Sequence, residues 1–368
     1  MLAFFDPEQL KHEPKFSLFS GAPKQNSEVA ERATVLREAL QQQGHELKEP
    51  EPHGLIPVEA VHHQDYLHFL KNIYQRWQEI PGASVEVIPN IHPNRTAGSE
   101  PCGIPESAVG QAGWYMADTA CPISNETWNS ALASANTAVG AAQAVLDGHN
   151  SAYALCRPPG HHAFADLAGG FCFLNNSAIA AQNLRKNFQK VVILDVDVHH
   201  GNGTQSIFYQ REDVLTVSLH ADPVSFYPFF WGYSHEIGSE KGSGYNFNYP
   251  LVHGTKDEEY LQTLKAALDH ISEFSPQVMV IALGLDAYEG DPYKGLGIST
   301  GGFEKIASEI AKLNLPTVLV QEGGYLSDAL GDNLNSFWAV LKMVENNDVQ
   351  EKIVIRQALK KDAETVLK

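Results

Sequence analysis

Apolar residues follow two different spacings along the chain, and the change from one to the other predicts alternating helices and strands. Helical spacing predicts helices over 27–44, 64–77, 127–148, 258–273 and 302–313. Continuous apolar, β-branched runs predict strands over 190–198, 214–219, 278–285 and 317–323. Continuous apolar strands separated by helices are typical of α/β proteins. We therefore expect a single α/β domain, with a multi-stranded parallel sheet and helices on both faces.

Two segments depart from this pattern. Residues 78–126 are rich in Pro, Gly, Ser and Asn, which predicts a long irregular insertion that carries function or an interface. Residues 346–368 are charged and amphipathic, which predicts a C-terminal extension that docks on the body or a partner, or is solvated. The expected organisation is a catalytic domain over 1–345, with an insertion at about 78–126, followed by this extension.

Composition narrows the classes of function. The chain has 26 Lys and Arg against 44 Asp and Glu, so its formal net charge of −18 argues against nucleic-acid binding. Such a charge steers cationic substrates if it lies near a cleft, or is simply that of an acidic soluble protein. Four cysteines without CxxC spacing, no signal peptide and no run of 18 apolar residues predict a cytoplasmic protein that does not span a membrane.

Polar residues cluster where the predicted strands end. Ligands of open parallel sheets bind outside the carboxyl ends of the strands. The candidates at these ends, together with a tandem pair upstream, are Asp195, Asp197, His199, His200, Asp286, Asp291, Glu322, Tyr325, His161 and His162.

The spacing of three of these residues predicts a metal site. Residues i and i+2 of a strand share a face, so Asp197 and His199 are expected to point together, with Asp195 continuing that face. His200 then points the other way and is expected to be structural. With Asp286 from another strand, the set is two carboxylates and one imidazole, which suits Zn²⁺ or Fe²⁺ acting as a Lewis acid on a carbonyl.

Several consecutive motifs resemble the zinc deacetylase branch of the arginase–deacetylase superfamily. They are RPPGHH, GGFCFLNN, ILDVDVHHGNGTQ, LDAYEGDP and EGGY. The resemblance implies the arginase–deacetylase fold, with Zn²⁺ held by Asp197, His199 and Asp286. It also implies that His162 is general base and then acid, that Asp195 holds His161, and that Tyr325 donates a hydrogen bond to the oxyanion.

The insertion, with GQAGWY followed by ISNETW, makes the chain similar to the bacterial acetylpolyamine amidohydrolases of this histone deacetylase-like group. This resemblance implies a narrow tunnel with Gly170 and Phe171 on one wall and Tyr227 on the other, and a homodimer formed through the insertion. It also implies a structural K⁺ site at Asp195, Ser218 and Leu219. A second K⁺ site would lie near Phe208, Arg211, Val214 and Tyr245.

Two departures from the family pattern affect these expectations. Asn202 replaces the Asp that supports the second tandem histidine in some deacetylases, which predicts a lower pKa for His162. Val109 and Ala120 stand where acidic residues are expected to hold the substrate's distal ammonium. Glu106 and Asp118 are then candidate substrate-binding residues, with Glu126 as a further nearby carboxylate.

The leading hypothesis is an amidohydrolase that removes acetyl groups from small cationic amines such as acetylputrescine, acetylcadaverine or acetylspermidine. A protein or peptide acetyl-lysine deacetylase would share every catalytic residue and differ at the entrance. A dimanganese ureohydrolase would need further Asp or His ligands to bridge two metals. A sensor that binds acetylated amines without turnover would need none of the proton-transfer residues, so their presence argues for an enzyme.

Overall fold

The computed structural model describes residues 1–93 and 103–341, which form an α/β domain around one parallel sheet. Within these residues the sheet has eight strands in the order β4-β1-β5-β10-β9-β6-β7-β8, and each adjacent pair is parallel. The strands β2 and β3 form a separate antiparallel hairpin. The strands are β1 (Leu2–Phe4), β2 (Ser17–Phe19), β3 (Ala22–Lys24), β4 (Leu47–Lys48), β5 (Ser151–Ala154), β6 (Val191–Asp195), β7 (Val214–Ala221), β8 (Asn246–Leu251), β9 (Val278–Leu283) and β10 (Thr317–Gln321).

Helices cover both faces of the sheet, as the sequence predicts. They are α1 (Ala30–Gln42), α2 (Ile56–Glu59), α3 (Gln64–Gln78), α4 (Ala108–Tyr115), α5 (Thr127–Leu146), α6 (Asn176–Leu184), α7 (Asn202–Phe208), α8 (Asp257–Phe274) and α9 (Thr300–Ala311), with short 3₁₀ helices at Pro7–Lys11 and Glu240–Gly242. Alternate residues of β6 join two different cores. Val191 and Ile193 pack with α3, α5 and α6, whereas Val192 and Leu194 pack with α1, α8 and α9. Burial on both faces explains why the central strands are continuously apolar.

The insertion at 78–126 is more regular than predicted. It contains α4, whose N-terminal cap is the Ser107 hydroxyl, which accepts a hydrogen bond from the Gly110 amide. A β-bridge between Val87 and Ile123 joins its two ends. Gly and Pro within 78–126 suggested an irregular loop, but the Ser107 cap starts one helix, which is held by burial of Ala108, Ala112 and Tyr115 although it contains two glycines. Residues 94–102 of the insertion, and the predicted extension at 346–368, lie outside the described residues.

The strand order brings the predicted polar residues to one edge of the sheet. Strands β5, β10, β9 and β6 are consecutive neighbours, and each is followed at its carboxyl end by candidates named above. This order explains how residues far apart in the sequence meet. In the described part of the chain, no helix combines the length and apolarity needed to cross a membrane.

Candidate active site

Three buried side chains converge beyond the ends of β6 and β9. Ligand atoms of Asp197, His199 and Asp286 all lie within 4.8 Å of one another, as expected of a metal site. His199 Nδ1 is 3.1 Å from Asp197 Oδ1 and 3.2 Å from Asp286 Oδ2. Asp286 Oδ2 is buried and makes no hydrogen bond of acceptable geometry. An orphaned carboxylate oxygen at the centre of such a cluster needs a cation.

Backbone amides fix the two carboxylates. Asp197 Oδ1 accepts from the His199 amide at 2.8 Å and Oδ2 accepts from the Gly323 amide at 2.7 Å. Asp286 Oδ1 accepts from the Val198 amide at 3.0 Å, which leaves its Oδ2 free to face the cluster. Each carboxylate is therefore oriented before any metal binds.

The structure corrects the reason that we gave for this convergence. Strand β6 ends at Asp195, and residues 197–199 form bends, so strand alternation does not align Asp197 with His199. The turn is stabilised by the Asp195 carboxylate, whose Oδ1 accepts from the Asp197 amide at 3.0 Å. The predicted metal ligands come together, but through Asp-centred turns rather than an extended strand.

Two glycines leave room for the carboxylates. A Cβ at Gly323 would overlap Asp286 Oδ2 and lie 2.5 Å from Asp197 Oδ2, and a Cβ at Gly284 would overlap Asp197 Oδ2. Neither glycine has a positive φ, so the requirement is space rather than backbone conformation. The glycines of LGLD and EGGY therefore belong to the metal site.

The donor set fits Zn²⁺. Burial disfavours the charged form of His199, but the carboxylates of Asp197 and Asp286 outweigh it and raise its pKa to about 9. The two carboxylates thus favour a positive charge at Nδ1, where a divalent ion can replace the proton. Two carboxylates and one imidazole also leave coordination positions open for water and substrate, as in catalytic zinc sites.

The tandem histidines lie beside this cluster with their ring centroids 4.0 Å apart. His161 Nδ1 is 2.8 Å from Asp195 Oδ2, and its Nε2 is 3.8 Å from Asp197 Oδ1. Burial opposes the charged form of His161, but Asp195 and Asp197 outweigh it and raise its pKa to about 10. Asp195 and Asp197 therefore favour the charged form of His161.

His162 has the opposite electrostatic surroundings. Burial, followed by the positive charges of His161 and His199, lowers the pKa of His162 well below its usual value. Its Nδ1 is 2.8 Å from the Asn202 Oδ1, a neutral acceptor at the start of α7. His162 is therefore neutral near pH 7, as the Asn at position 202 predicts.

Tyr325 is buried and follows the carboxyl end of β10. Burial, and then the neighbouring Tyr293, raises the pKa of Tyr325 well above its usual value, so its hydroxyl stays protonated and can donate. Its backbone amide donates to Asp291 Oδ2 at 2.9 Å, and the Tyr293 amide donates to Asp291 Oδ1 at 2.9 Å. The buried Asp291 carboxylate thus joins the two tyrosine-bearing segments, a role that the sequence analysis missed.

Two further buried ionisable side chains brace the loops of the candidate site. Glu322 Oε2 accepts from the amides of Gly160 and His161 at 2.6 and 3.0 Å, so the end of β10 fixes the loop that follows β5. Arg32 of α1 donates to the carbonyls of Glu322 and Gly324 at 2.7 and 2.5 Å, and its guanidinium lies 4.9 Å from the Tyr325 ring centroid.

A cavity of about 350 Å³ opens above these groups, and its walls are mainly aromatic. The predicted wall residues Gly170, Phe171 and Tyr227 line it. Its lining consists of Phe19, Ser20, Ala120, Pro159, His161, His162, Gly170, Phe171, Asp197, His199, Ser225, Phe226, Tyr227, Phe229, Tyr293, Gly323 and Tyr325. An aromatic slot of this kind suits a thin methylene chain.

The acidic candidates of the insertion lie elsewhere. Asp118 is not among the lining residues. Its Oδ2 accepts from the Tyr227 hydroxyl at 2.6 Å and from the Gly170 amide at 3.1 Å. Glu106 is exposed and its carbonyl accepts from Arg76, whereas Glu126 accepts from Asn125 and Asn129. Direct contact of these carboxylates with a substrate stays a prediction.

Several lining residues were not predicted. Phe19 comes from the hairpin β2–β3, Phe226 stacks on His199 with centroids 5.1 Å apart, and Tyr293 packs against Tyr325 at 4.7 Å. Phe226 and Tyr293 lie beside motifs that were recognised, in the segments SFYP and GDPY, so proximity to those motifs was an available signal. Phe19 lies in a short segment without a motif, and the sequence offered no signal for it.

The remaining predicted residues lie beneath the site. Asp195 is paired in register with Ser218 across β6 and β7, next to Leu219. His200 is buried, with its Nε2 3.0 Å from Gln205 Oε1 and 3.1 Å from Asn248 Oδ1, which agrees with its expected structural role.

Comparison of the sequence with known proteins identifies one matching domain family and several similar proteins. Residues 25–341 match the histone deacetylase domain family. The chain is 43% identical to an acetylpolyamine amidohydrolase of Burkholderia pseudomallei (strain 1710b), over 92% of this chain and 98% of that protein. It is 38% identical to the acetylpolyamine amidohydrolase of Mycoplana ramosa, over 91% of this chain and 97% of that protein.

Solved structures agree with the sequence comparison. A crystal structure of acetylpolyamine aminohydrolase from Burkholderia pseudomallei, from an iodide soak, superposes with a TM-score of 0.89 and 41% identity, covering 94% of this chain and 99% of that one. The HDA15 HD domain superposes with a TM-score of 0.77 and 26% identity, covering 92% and 88%. The expected arginase–deacetylase architecture is thereby confirmed.

Substituting Gly323→Ala should weaken zinc binding about 10- to 100-fold, the usual effect of disturbing the groups that orient metal ligands. The added methyl group would push the carboxylates of Asp197 and Asp286 out of position. Zinc affinity by chelator competition, with bound zinc quantified after dialysis, measures this without reference to catalysis. Gly301→Ala is the matched control, because the nearest atom to a Cβ there is Ser299 Oγ at 3.9 Å. Equal zinc affinity in the two variants would refute the inference that Gly323 leaves room for the carboxylates of Asp197 and Asp286.

Substituting Asn202→Asp should move the acidic limb of the kcat/KM profile to higher pH. A carboxylate beside His162 Nδ1 would stabilise the imidazolium and raise its pKa, and a general base works only above its pKa. Activity then appears at higher pH than in the unsubstituted enzyme. Asn187→Asp adds the same charge at an exposed site beyond α6 and should leave the profile unchanged. An unshifted acidic limb in Asn202→Asp would contradict the role of His162 as base.

Proposed function

The chain belongs to the histone deacetylase domain family, and we propose that it is a zinc-dependent amidohydrolase that removes acetyl groups from acetylated polyamines or diamines. The observation that carries the proposal is the meeting of the Asp197–His199–Asp286 cluster, the tandem histidines and Tyr325 in one aromatic-lined cavity. The acetylpolyamine amidohydrolases named above, at 38–43% identity over more than nine-tenths of the chain, support the substrate class.

When bound, Zn²⁺ supplies Lewis-acid chemistry that polarises the acetyl carbonyl and makes water more acidic. The neutral His162 is suited to take a proton from the attacking water and to deliver it to the departing amine nitrogen. The cationic His161, held by Asp195, stabilises negative charge beside it. The protonated Tyr325 donates to the acetyl oxygen as that oxygen becomes negative.

The insertion supports a small substrate over a protein. Asp118 braces the tunnel wall through Tyr227 and Gly170, and Ala120 itself lines the cavity. Thr119 exchanges hydrogen bonds with Leu18, so the insertion also fixes the hairpin that carries Phe19. We infer that these contacts hold the entrance narrow, which suits a thin methylene chain rather than a protein surface. Peptide acetyl-lysine deacetylation remains the second candidate, since it would use the same catalytic residues.

One mononuclear centre argues against ureohydrolase chemistry. Among the described residues, one cluster of three potential ligands was found, and it includes no additional carboxylate to bridge a second metal. The sensor hypothesis does not explain why the pKa of His161 is raised while that of His162 is lowered. Binding alone requires no proton transfer, so it needs no such pair.

The proposal includes a homodimer formed through the insertion and a structural K⁺ ion. Large apolar side chains of the insertion are exposed, among them Val85 (61%), Ile91 (62%) and Ile104 (49%), which is typical of an interface.

K⁺ is proposed at Asp195, Ser218 and Leu219, where a second cation would help to offset a buried carboxylate. Burial raises the pKa of Asp195 despite its contact with His161. A cytoplasmic location fits the described cysteines, which are buried and unpaired.

A substrate panel tests the function. Zinc-quantified protein should release acetate from acetylputrescine, acetylcadaverine and acetylspermidine with a kcat/KM at least about tenfold higher than from acetyl-lysine peptides. That ratio corresponds to about 1.4 kcal/mol of preferential transition-state binding. Acetyl-lysine itself serves as the matched small substrate, because it has the same amide and chain but a different head group. A clear preference for peptides would favour the second candidate.

Substituting Tyr325→Phe should lower kcat about a hundredfold or more, with little change in KM or zinc content, because one oxyanion donor is lost. Tyr293→Phe removes a hydroxyl from the adjacent ring, 4.7 Å away between centroids, and should have a much smaller effect. Equal losses in the two variants would show that Tyr325 has no special role.

A further inference from the structure

One row of aromatic rings leads outward from the catalytic tyrosine. The Phe171 ring lies 6.0 Å from Tyr325, and Phe19 lies 6.3 Å farther along, between centroids. Phe171 is almost completely buried, whereas Phe19 is half-buried at the tip of the hairpin. Phe19 is therefore the outermost ring of this row.

A second row leads outward from the other side of the site. The Tyr227 ring lies perpendicular to His162 at 4.9 Å, and Phe229 follows at 6.2 Å. Phe229 is 46% exposed and lines the cavity. The chain continues to Phe230, which is 76% exposed and does not line the cavity. Phe19 and Phe229 thus end two aromatic rows, and both contribute to the same cavity.

Charged side chains are scarce where these rows end. Among the described lining residues the one carboxylate is that of Asp197, which belongs to the metal cluster. Asp118 lies behind the wall, and its two oxygens already accept from the Tyr227 hydroxyl and from the amides of Gly170 and Ala120. A substrate ammonium that leaves the tunnel therefore meets ring faces before any unengaged carboxylate of the described lining.

We propose that Phe19 and Phe229 form a cation–π subsite that binds the distal ammonium of an acetylated diamine, or an internal ammonium of a longer polyamine. The negative faces of aromatic rings attract alkylammonium ions, most strongly where water is partly excluded. The subsite rests on the proposed function and deepens it, because it assigns recognition of the positive charge to two rings rather than to an ion pair with the insertion.

The test compares a cationic substrate with a neutral substrate of the same shape. Acetylputrescine carries an ammonium where N-pentylacetamide carries a methyl group, and both have the same amide and methylene chain. The ratio of their kcat/KM values isolates recognition of the charge. Phe19→Leu and Phe229→Leu should each lower this ratio about 3- to 30-fold, mainly through KM for acetylputrescine, with N-pentylacetamide little affected.

Three further variants make the result specific. Phe19→Tyr keeps an aromatic face and should keep the ratio, which separates the ring face from general packing. Phe230→Leu removes an exposed ring outside the cavity and should leave the ratio unchanged. Asp118→Asn keeps the size of the side chain and removes its charge. If Asp118→Asn alone lowers the ratio, while the two Leu variants keep it, an ion pair recognises the ammonium and the subsite is refuted.

The outcomes for the subsite and for the proposed function differ. Unsubstituted protein that fails to release acetate from acetylputrescine would overturn the proposed function, and the subsite with it. Unsubstituted protein that prefers acetylputrescine, combined with Leu variants that keep this preference or lose both substrates equally, would overturn the subsite alone.

Discussion

Burial of two carboxylates beside one imidazole is the constraint on which the rest of the site depends. Asp197 and Asp286 are completely buried, and among the residues that the structure describes only His199 lies within ion-pair distance of Asp286. Burial alone would neutralise such acids. Backbone amides hold one or both oxygens of each carboxylate, so both acids stay oriented. His161 and His199 outweigh burial and lower the pKa of Asp197, whereas burial raises the pKa of Asp286, a cost that a bound cation would offset. The glycines at 284 and 323 follow from the same constraint, because any side chain there would occupy the space of these carboxylates.

Other buried carboxylates connect the loops that surround the metal ligands. Asp195 stabilises the turn after β6, Glu322 joins the end of β10 to the loop with the tandem histidines, and Asp291 joins the segments of Tyr293 and Tyr325. Each accepts from backbone amides that would otherwise be unpaired at the strand ends. The loops of four neighbouring strands are thereby fixed relative to one another, which is what a preorganised site requires.

The sequence could predict the candidate metal ligands and three wall residues, Gly170, Phe171 and Tyr227, but not the other aromatic residues of the cavity wall. Continuous apolar strands implied a parallel sheet, and in such a sheet the residues after each strand share one edge, so Asp197, Asp286 and the tandem histidines could be brought together without knowing the strand order. The local geometry was wrong, because the Asp195 carboxylate ends the strand and starts a turn. Phe19 could not be found, since its place on the cavity depends on Leu18 and Thr119 joining a hairpin to the insertion. Contacts between loops of this kind depend on packing across about 100 residues of sequence and have no periodic signature.

The two tandem histidines show how neighbouring residues of one type acquire different roles. Their rings are 4.0 Å apart, so a positive charge on one disfavours a positive charge on the other. Asp195 decides which ring is charged, because a carboxylate faces His161 while the amide of Asn202 faces His162. A stable cation beside a neutral base is the division of roles that amide hydrolysis needs, since one group must stabilise negative charge while the other moves the proton. An Asp at position 202 would make the two surroundings alike and weaken this division. We therefore propose that Asn202, through the pKa of His162, influences the pH range of the proposed reaction.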